Sequence, residues 1–239
     1  MPATRPVLEL AELHLPTASG ELPSYKTVFA LLPGNVALVD VRRRQRDASF
    51  ADICSGLGPF PKGAVRFLGH DWAQIPDYYA AALRGHIGRI FADGGWIEFL
   101  DVAANILLPQ LHHTHEDEGV LRERAAQLAC AFGLPGLPLG NVDDLSALDL
   151  ARCACVRAFL GKPALLLLES PVQGRGFFVE LLSPLLNAIA AARSDGTAVM
   201  WFTQSDMIWN DRSFPASHRL HLHDHGLIPA RREQDAPAL

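Results

Sequence analysis

Glu169 ends a run of four leucines, Leu165 to Leu168, and Ser170 and Pro171 follow at once. A carboxylate at the end of a buried strand can hold a divalent cation against a phosphate. Hydrolysis of that phosphate also needs a group that polarises water, and Ser170, in the next position, is too weak a base at neutral pH. A second concentration of chemistry is Arg42, Arg43, Arg44 and Arg46, in the stretch DVRRRQRDASFAD. Four guanidinium groups could collect an anion: a nucleotide, an anionic lipid headgroup or an acidic partner. The plainer reading is a solvated loop. Two histidine groups are candidate Zn²⁺ ligands: His112, His113 and His115 beside Glu116 and Glu118, and His221, His223 and His225 at alternate positions of one run. For both, the plainer reading is again a solvated face. Cys54, Cys130, Cys153 and Cys155 form no CxxC pair and are read as reduced, buried thiols of a cytosolic protein.

These residues need elements to position them. The 239 residues suffice for one large α/β domain; 49% apolar and 20% charged is an ordinary globular balance. A formal net charge of −5 gives nucleic-acid binding no support. The opening residues contain no signal-peptide stretch, and no segment approaches the ~20 apolar residues of a membrane span, so work at a membrane would require a partner. Alternation predicts strands at 7–15, at 27–41 around Pro33-Gly34, and at 63–72. Helical spacing marks 49–58, 77–87 and 118–134, then 143–163 opening on an Asp cap, and 177–196. The runs 164–170 and 197–204 are apolar on both faces, as buried parallel strands are, and 218–230 reads as a final strand pair. Helix alternating with buried strand predicts a parallel sheet with right-handed crossovers.

The stretch LSALDLARCACVRAFLGKPALLLLESP (145–171) matches, without a gap, the LSGGxxQR…ARAL…LLLLDEP progression of ABC transporters. LPGNVALV is similar to the strand entering the phosphate loop of that family, and GAVRFLGHDW to its strand-turn-strand after the first helix. Over nearly its full length the chain resembles the nucleotide-binding subunit of an ABC transporter. The resemblance implies an ABC-type P-loop NTPase fold in one domain over 1–239. Its parts would be a parallel core sheet, an N-terminal antiparallel β subdomain and a helical subdomain at about 93–160. VAANILLP is also similar to subunits serving lipid-handling transporters, including the MCE type.

At the chemistry the chain departs from that pattern. No glycine lies between Gly34 and Gly56, so the phosphate loop lacks the residues that adopt its φ > 0 turns. Its lysine falls near Arg46 or Asp47, and a carboxylate at Asp40 or Asp47 would repel phosphate. The Q-loop glutamine corresponds to Ala92, the Mg²⁺-binding aspartate to Glu169, the water-activating carboxylate to Ser170 and the switch histidine to Gln204. The D-loop reads VQGRG, and the adenine-stacking aromatic has only His14 to offer. In the signature Ser146 is kept, but Ala147 and Leu148 replace two glycines, and the leucine is expected to intrude on a phosphate presented by a dimer partner. DGGWIEFL sets Trp96, Ile97, Phe99 and Leu100 where the family faces its membrane partner; the alternative is that they pack inside the domain.

The resemblance thus implies a non-hydrolysing subunit in a membrane transport complex, with a structural or regulatory role, and the VAANILLP likeness implies lipid as its cargo. It would be cytoplasmic, held on the inner membrane face by a transmembrane permease, as a homodimer or paired with an active ATPase. No cofactor is expected, ATP with Mg²⁺ being the family's. Two alternatives stay open. One is a slow ATPase using Glu169 for Mg²⁺ and an arginine for phosphate. The other is a soluble anion or nucleotide sensor built on Arg42–Arg46.

Overall fold

The computed structural model describes residues 4–16, 25–42, 47–172 and 175–230. Arg43, Arg44 and Arg46 lie outside the described residues, as does the centre of VQGRG. Two sheets carry the architecture. The first is antiparallel, in the order β2-β1-β4-β5, from Leu8–His14 (β1), Thr27–Leu31 (β2), Lys62–Phe67 (β4) and His70–Asp71 (β5). The second runs β10-β9-β3-β8-β7-β6, from Val36–Asp40 (β3), Ile87–Ile90 (β6), Leu165–Glu169 (β7), Ala198–Thr203 (β8), His218–His223 (β9) and Gly226–Pro229 (β10). Its pairings are parallel except at the edge, where β10 returns antiparallel to β9.

The inner strands are apolar on both sides because both faces are covered. Val36, Leu38, Leu166, Leu168, Val199 and Trp201 turn to one buried cluster. Packed on it are Val102–His113 (α3), Glu118–Ala131 (α4), Ala147–Phe159 (α5) and Arg175–Ser194 (α6). Ala37, Val39, Leu165, Leu167, Met200 and Phe202 turn to the other cluster, with the antiparallel sheet and Asp47–Cys54 (α1). Side chains alternate across a strand, so one unbroken apolar run serves two cores.

Several details differ from the sequence reading. β6 was not anticipated: its four residues, IGRI, include a glycine and an arginine and carry no clear strand pattern. Gly88 is there because a Cβ would meet the Ala158 carbonyl oxygen of α5 at 2.0 Å. His112 and His113 end helix α3 rather than lying in a loop, and Asp101 caps its start by accepting from the Ala104 amide. α5 begins later than 143, capped by Ser146, because Val142–Asp144 forms a separate 3₁₀ turn. Asp77–Arg84 (α2) occupies most of the expected 77–87 helix, and a short helix, Asp206–Asn210 (α7), follows β8. Cys54, Cys153 and Cys155 are buried, but Cys130 is exposed on α4, contrary to expectation. Burial pushes the thiols of Cys54 and Cys153 up to about 12.

Candidate functional site

In parallel α/β sheets, ligand chemistry gathers at the carboxyl ends of the strands. Here β3 ends on Asp40 and β7 on Glu169, both buried, facing Thr203 and Phe202 of β8 in register. A carboxylate so enclosed requires charge and hydrogen-bond compensation. The chain supplies it from its own side chains.

Asp40 is held bidentately by Arg42, with Nε to Oδ1 and Nη2 to Oδ2 both at 2.8 Å, and it accepts from the Arg42 amide at 3.0 Å. His221 Nδ1 stands 3.0 Å from Asp40 Oδ2, and Arg42 also pairs with Asp206 on α7. Burial alone would raise the Asp40 carboxyl, but the hydrogen bonds and charge of Arg42 prevail and hold it below the usual carboxylate range. Arg42, the described member of the arginine cluster, is thus committed to acids of its own chain.

Glu169 has an equivalent arrangement. Arg89, reaching over from β6, donates through Nε to Glu169 Oε1 at 2.5 Å and through Nη1 to Asp52 Oδ1 of α1 at 2.6 Å. The Glu169 side chain is 1% exposed and that of Arg89 9%, so the pair lies out of water. Burial opposes the charge on Arg89; the two carboxylates overcome that and hold its proton more firmly than usual.

Ser170, next in sequence, takes a left-handed backbone with φ 46°, and its Oγ is buried without a hydrogen-bond partner. Its amide donates to the Phe202 carbonyl oxygen. Glu169 and Ser170 help line a cavity of about 320 Å³ that also touches Ala92, Trp96 and Ala147. The structure therefore brings the equivalents of the metal ligand, water activator, Q-loop and signature to one hollow. None of them but Glu169 carries an ionisable group. Gln204 is exposed beyond β8 and is not among that lining. Ser146 donates to Asp149 Oδ2 at 2.8 Å and accepts from the Asp149 amide, so α5 closes its own N-terminus. Leu148 is half-buried and packs on the helical core, and Ala147 is exposed.

The segment after β6 is built differently. Gly94 and Gly95 turn with φ 83° and 57°, a conformation that L side chains rarely adopt. Arg157 of α5 donates to both of their carbonyl oxygens and lies over the Trp96 ring, 4.6 Å from its centroid. Burial pushes Arg157 down to about 10, which leaves it protonated at neutral pH. Asn105 accepts from the Ile97 amide at 2.8 Å and donates to the carbonyl oxygens of Ile97, Leu100 and Asp101. Trp96 and Ile97 are consequently half-buried, while Phe99 stands 88% exposed. Beneath this turn lies a cavity of about 260 Å³ between β6, α3 and α5, lined by Arg84, Arg157, Ile97, Asn105 and Pro109.

No family model matches the chain. The lipoprotein-releasing system ATP-binding protein LolD 1 of Rhodopirellula baltica is 30% identical over 170 residues, which span 69% of this chain and 72% of that protein. The chain belongs to the ATP-binding subunits of ABC transporters. The Fe(3+) ions import ATP-binding protein FbpC of Streptomyces coelicolor is 32% identical over 119 residues, covering 49% of this chain but only 32% of that protein. This ABC subunit also superposes on a solved ATP-binding subunit of an ABC transporter with a TM-score of 0.76 at 18% identity, over 92% of this chain and 88% of the other. That likeness establishes the fold, with its core and antiparallel sheets. Among the described residues no helix is long and apolar enough to cross a membrane.

Nucleotide hydrolysis in this fold takes Mg²⁺, and the side chains here do not fit that ion. The carboxylate it would use already accepts from Arg89, and Ser170 offers no second acid. Among the described residues no three His, Cys, Asp or Glu side chains are placed to hold a metal. His221, expected as a possible Zn²⁺ ligand, is instead engaged with Asp40. Sequence reasoning passed over Arg89, Asp52, Arg157 and Asn105. The available signal was an arginine within IGRIF, where a short apolar run implies a buried cation that must find acids.

Proposed function

We propose that this ABC subunit is a non-hydrolysing component of a membrane transport complex, holding position for a transmembrane permease rather than driving its cycle. The observation that carries the reading is the internal neutralisation of both strand-end carboxylates, Asp40 by Arg42 and Glu169 by Arg89. A hydrolysing site needs the carboxylate at the Glu169 position available to metal, and an acid at Asp40 would repel phosphate. Loss of a water-activating group alone usually costs ~10²–10⁴ in rate. The substituted glycines, Ala147 and Leu148, together with the Ser146–Asp149 closure of α5, speak against service to an active ATPase across a dimer. A structural role, alone or in a dimer, remains compatible with them.

The Gly94-Gly95 turn with projecting Phe99, above the cavity at Arg157, is the edge we assign to the permease. The chain would then sit on the cytoplasmic face of the membrane, held by that partner. Lipid or lipoprotein cargo is supported by the LolD relatives, whose names place them in lipoprotein release.

The test is titration calorimetry of the purified chain with ATP and Mg²⁺, together with phosphate release over hours. We expect no saturable heat at millimolar nucleotide and no turnover above a Glu169→Ala control. Saturable binding with turnover that Glu169→Ala abolishes would establish a slow ATPase instead. Binding without turnover, lost when Arg43 and Arg44 are changed together, would establish an anion sensor.

A further inference from the structure

We propose that Arg89 is a built-in counter-cation: its guanidinium takes the role a divalent cation has at the carboxyl end of β7, so the site is closed to Mg²⁺. The case begins with connectivity. In P-loop hydrolases the metal ties the helix after the phosphate loop to the carboxylate at the end of a core strand. Arg89 makes the same tie here, joining Asp52 of α1 to Glu169 of β7 at 2.6 and 2.5 Å. It does so from β6, where it pairs in register with Leu167, two residues before Glu169. Its guanidinium lies over the Phe91 ring, with its carbon 4.4 Å from the centroid, which helps to fix the approach.

Electrostatics then decides the competition. A dication bound to Glu169 would share that carboxylate with a guanidinium already within hydrogen-bond distance, in a region almost closed to water. Like charges so placed repel strongly because little solvent screens them. Arg89 cannot shed its proton to relieve this, since guanidinium stays charged at any working pH. Nor can it swing aside cheaply, because leaving would strand a buried acid and a buried cation together. Glu rather than Asp at position 169 suits the arrangement: the extra methylene extends the carboxylate towards the neighbouring strand's guanidinium. The inference deepens the non-hydrolysing reading above, since it concerns the same carboxylate. It makes the tie between α1 and β7 permanent, where a metal-dependent subunit would make it only when loaded.

The test compares Mn²⁺ binding by electron paramagnetic resonance, and thermal melting with and without millimolar Mg²⁺, in four full-length chains. These are the wild type, Glu169→Gln, Arg89→Met and Arg89→Met/Glu169→Gln. We expect the wild type to bind no more Mn²⁺ than Glu169→Gln and to melt at the same temperature with or without Mg²⁺ at matched ionic strength. Arg89→Met should melt lower by on the order of 10 °C, as breaking a buried ion pair in a domain of this size would do. Millimolar Mg²⁺ or Mn²⁺ should restore much of that loss, and no restoration is expected in the double variant. Wild-type Mn²⁺ binding that Glu169→Gln removes would overturn the proposal, as would a folded Arg89→Met chain that takes up no Mn²⁺. If Arg89→Met does not fold, the comparison of wild type with Glu169→Gln decides alone. Failure here is distinguishable from failure of the non-hydrolysing reading. Metal bound beside an intact Arg89 with no turnover sinks only this proposal, whereas turnover unaffected by chelator sinks only the other.

Discussion

The carboxyl ends of β3 and β7 and the turn after β6 belong to the same sheet, yet they use polar groups differently. At the strand ends, charge meets charge: Asp40 with Arg42, Glu169 with Arg89. At the turn, side chains meet backbone. Asn105 satisfies four main-chain partners, and Arg157 donates to two glycine carbonyl oxygens. The first arrangement neutralises both buried acids from within the chain. The second fixes a loop and leaves one aromatic ring, Phe99, in water. Under the proposed non-hydrolysing reading, the strand ends serve the fold and the turn serves the partner.

The sharpest way to break this contrast is to remove one acid. Glu169→Ala should cost about 3–5 kcal/mol of folding stability, because Arg89 keeps its buried charge and loses its most deeply buried carboxylate partner. Urea unfolding measures the effect. A loss below about 1 kcal/mol, within the range of ordinary surface changes and exposed pairs, would mean that the ion pair is not structural. Next in size is Asn105→Ala. The amide of Ile97 and three carbonyl oxygens lose their partner together, and partial access to water limits the penalty to about 2–3 kcal/mol. Hydrogen exchange should then accelerate at Ile97 and leave Glu169 protected. Equal acceleration at both would show that the two regions are one cooperative unit.

Asp40 gives a smaller, pH-dependent effect. Its folded carboxyl lies below the usual range, so the stability it contributes is fully present above a pH of about 4 and drains away as pH falls through the folded value. Asp40→Asn should therefore be less stable than the wild type near neutral pH, by about 1–2 kcal/mol, with the difference narrowing on acidification. Urea midpoints at a series of pH values would show the convergence; parallel curves would remove Asp40 from the account.

Much of the scaffold could be read from the chain because the same signals recur: LLLL and AVMWF are apolar on both faces, and both became inner parallel strands. The site was legible only as a list of losses. Ser170, Ala92, Ala147 and Gln204 were assigned by the family's register, and register says nothing of what closes the gap. Arg89 is 80 positions from Glu169 and 37 from Asp52, so no local pattern could join them. β6 escaped notice for the same reason: its glycine answers to a helix 70 residues on, and its arginine to a carboxylate two strand ends away in sequence. The packing of Leu148 on the helical core follows from helix phase, set by the Ser146 cap, which no spacing in the sequence states.

The smallest effect on stability falls where the functional effect should be large. Phe99 is 88% exposed and packs against little, so Phe99→Ser should change unfolding free energy by no more than about 0.5 kcal/mol. If the turn after β6 is the permease-facing edge, the same substitution removes an aromatic anchor, and its association with native membranes should weaken roughly tenfold. Co-sedimentation of the tagged chain with membranes across a concentration series reads this directly. Weakened association with unchanged stability would separate the two regions cleanly, one serving the fold and the other the partner. Unchanged association would move the contact surface off this turn. The exposed Phe99 would then need another explanation, and the contrast would rest on the buried ion pairs alone.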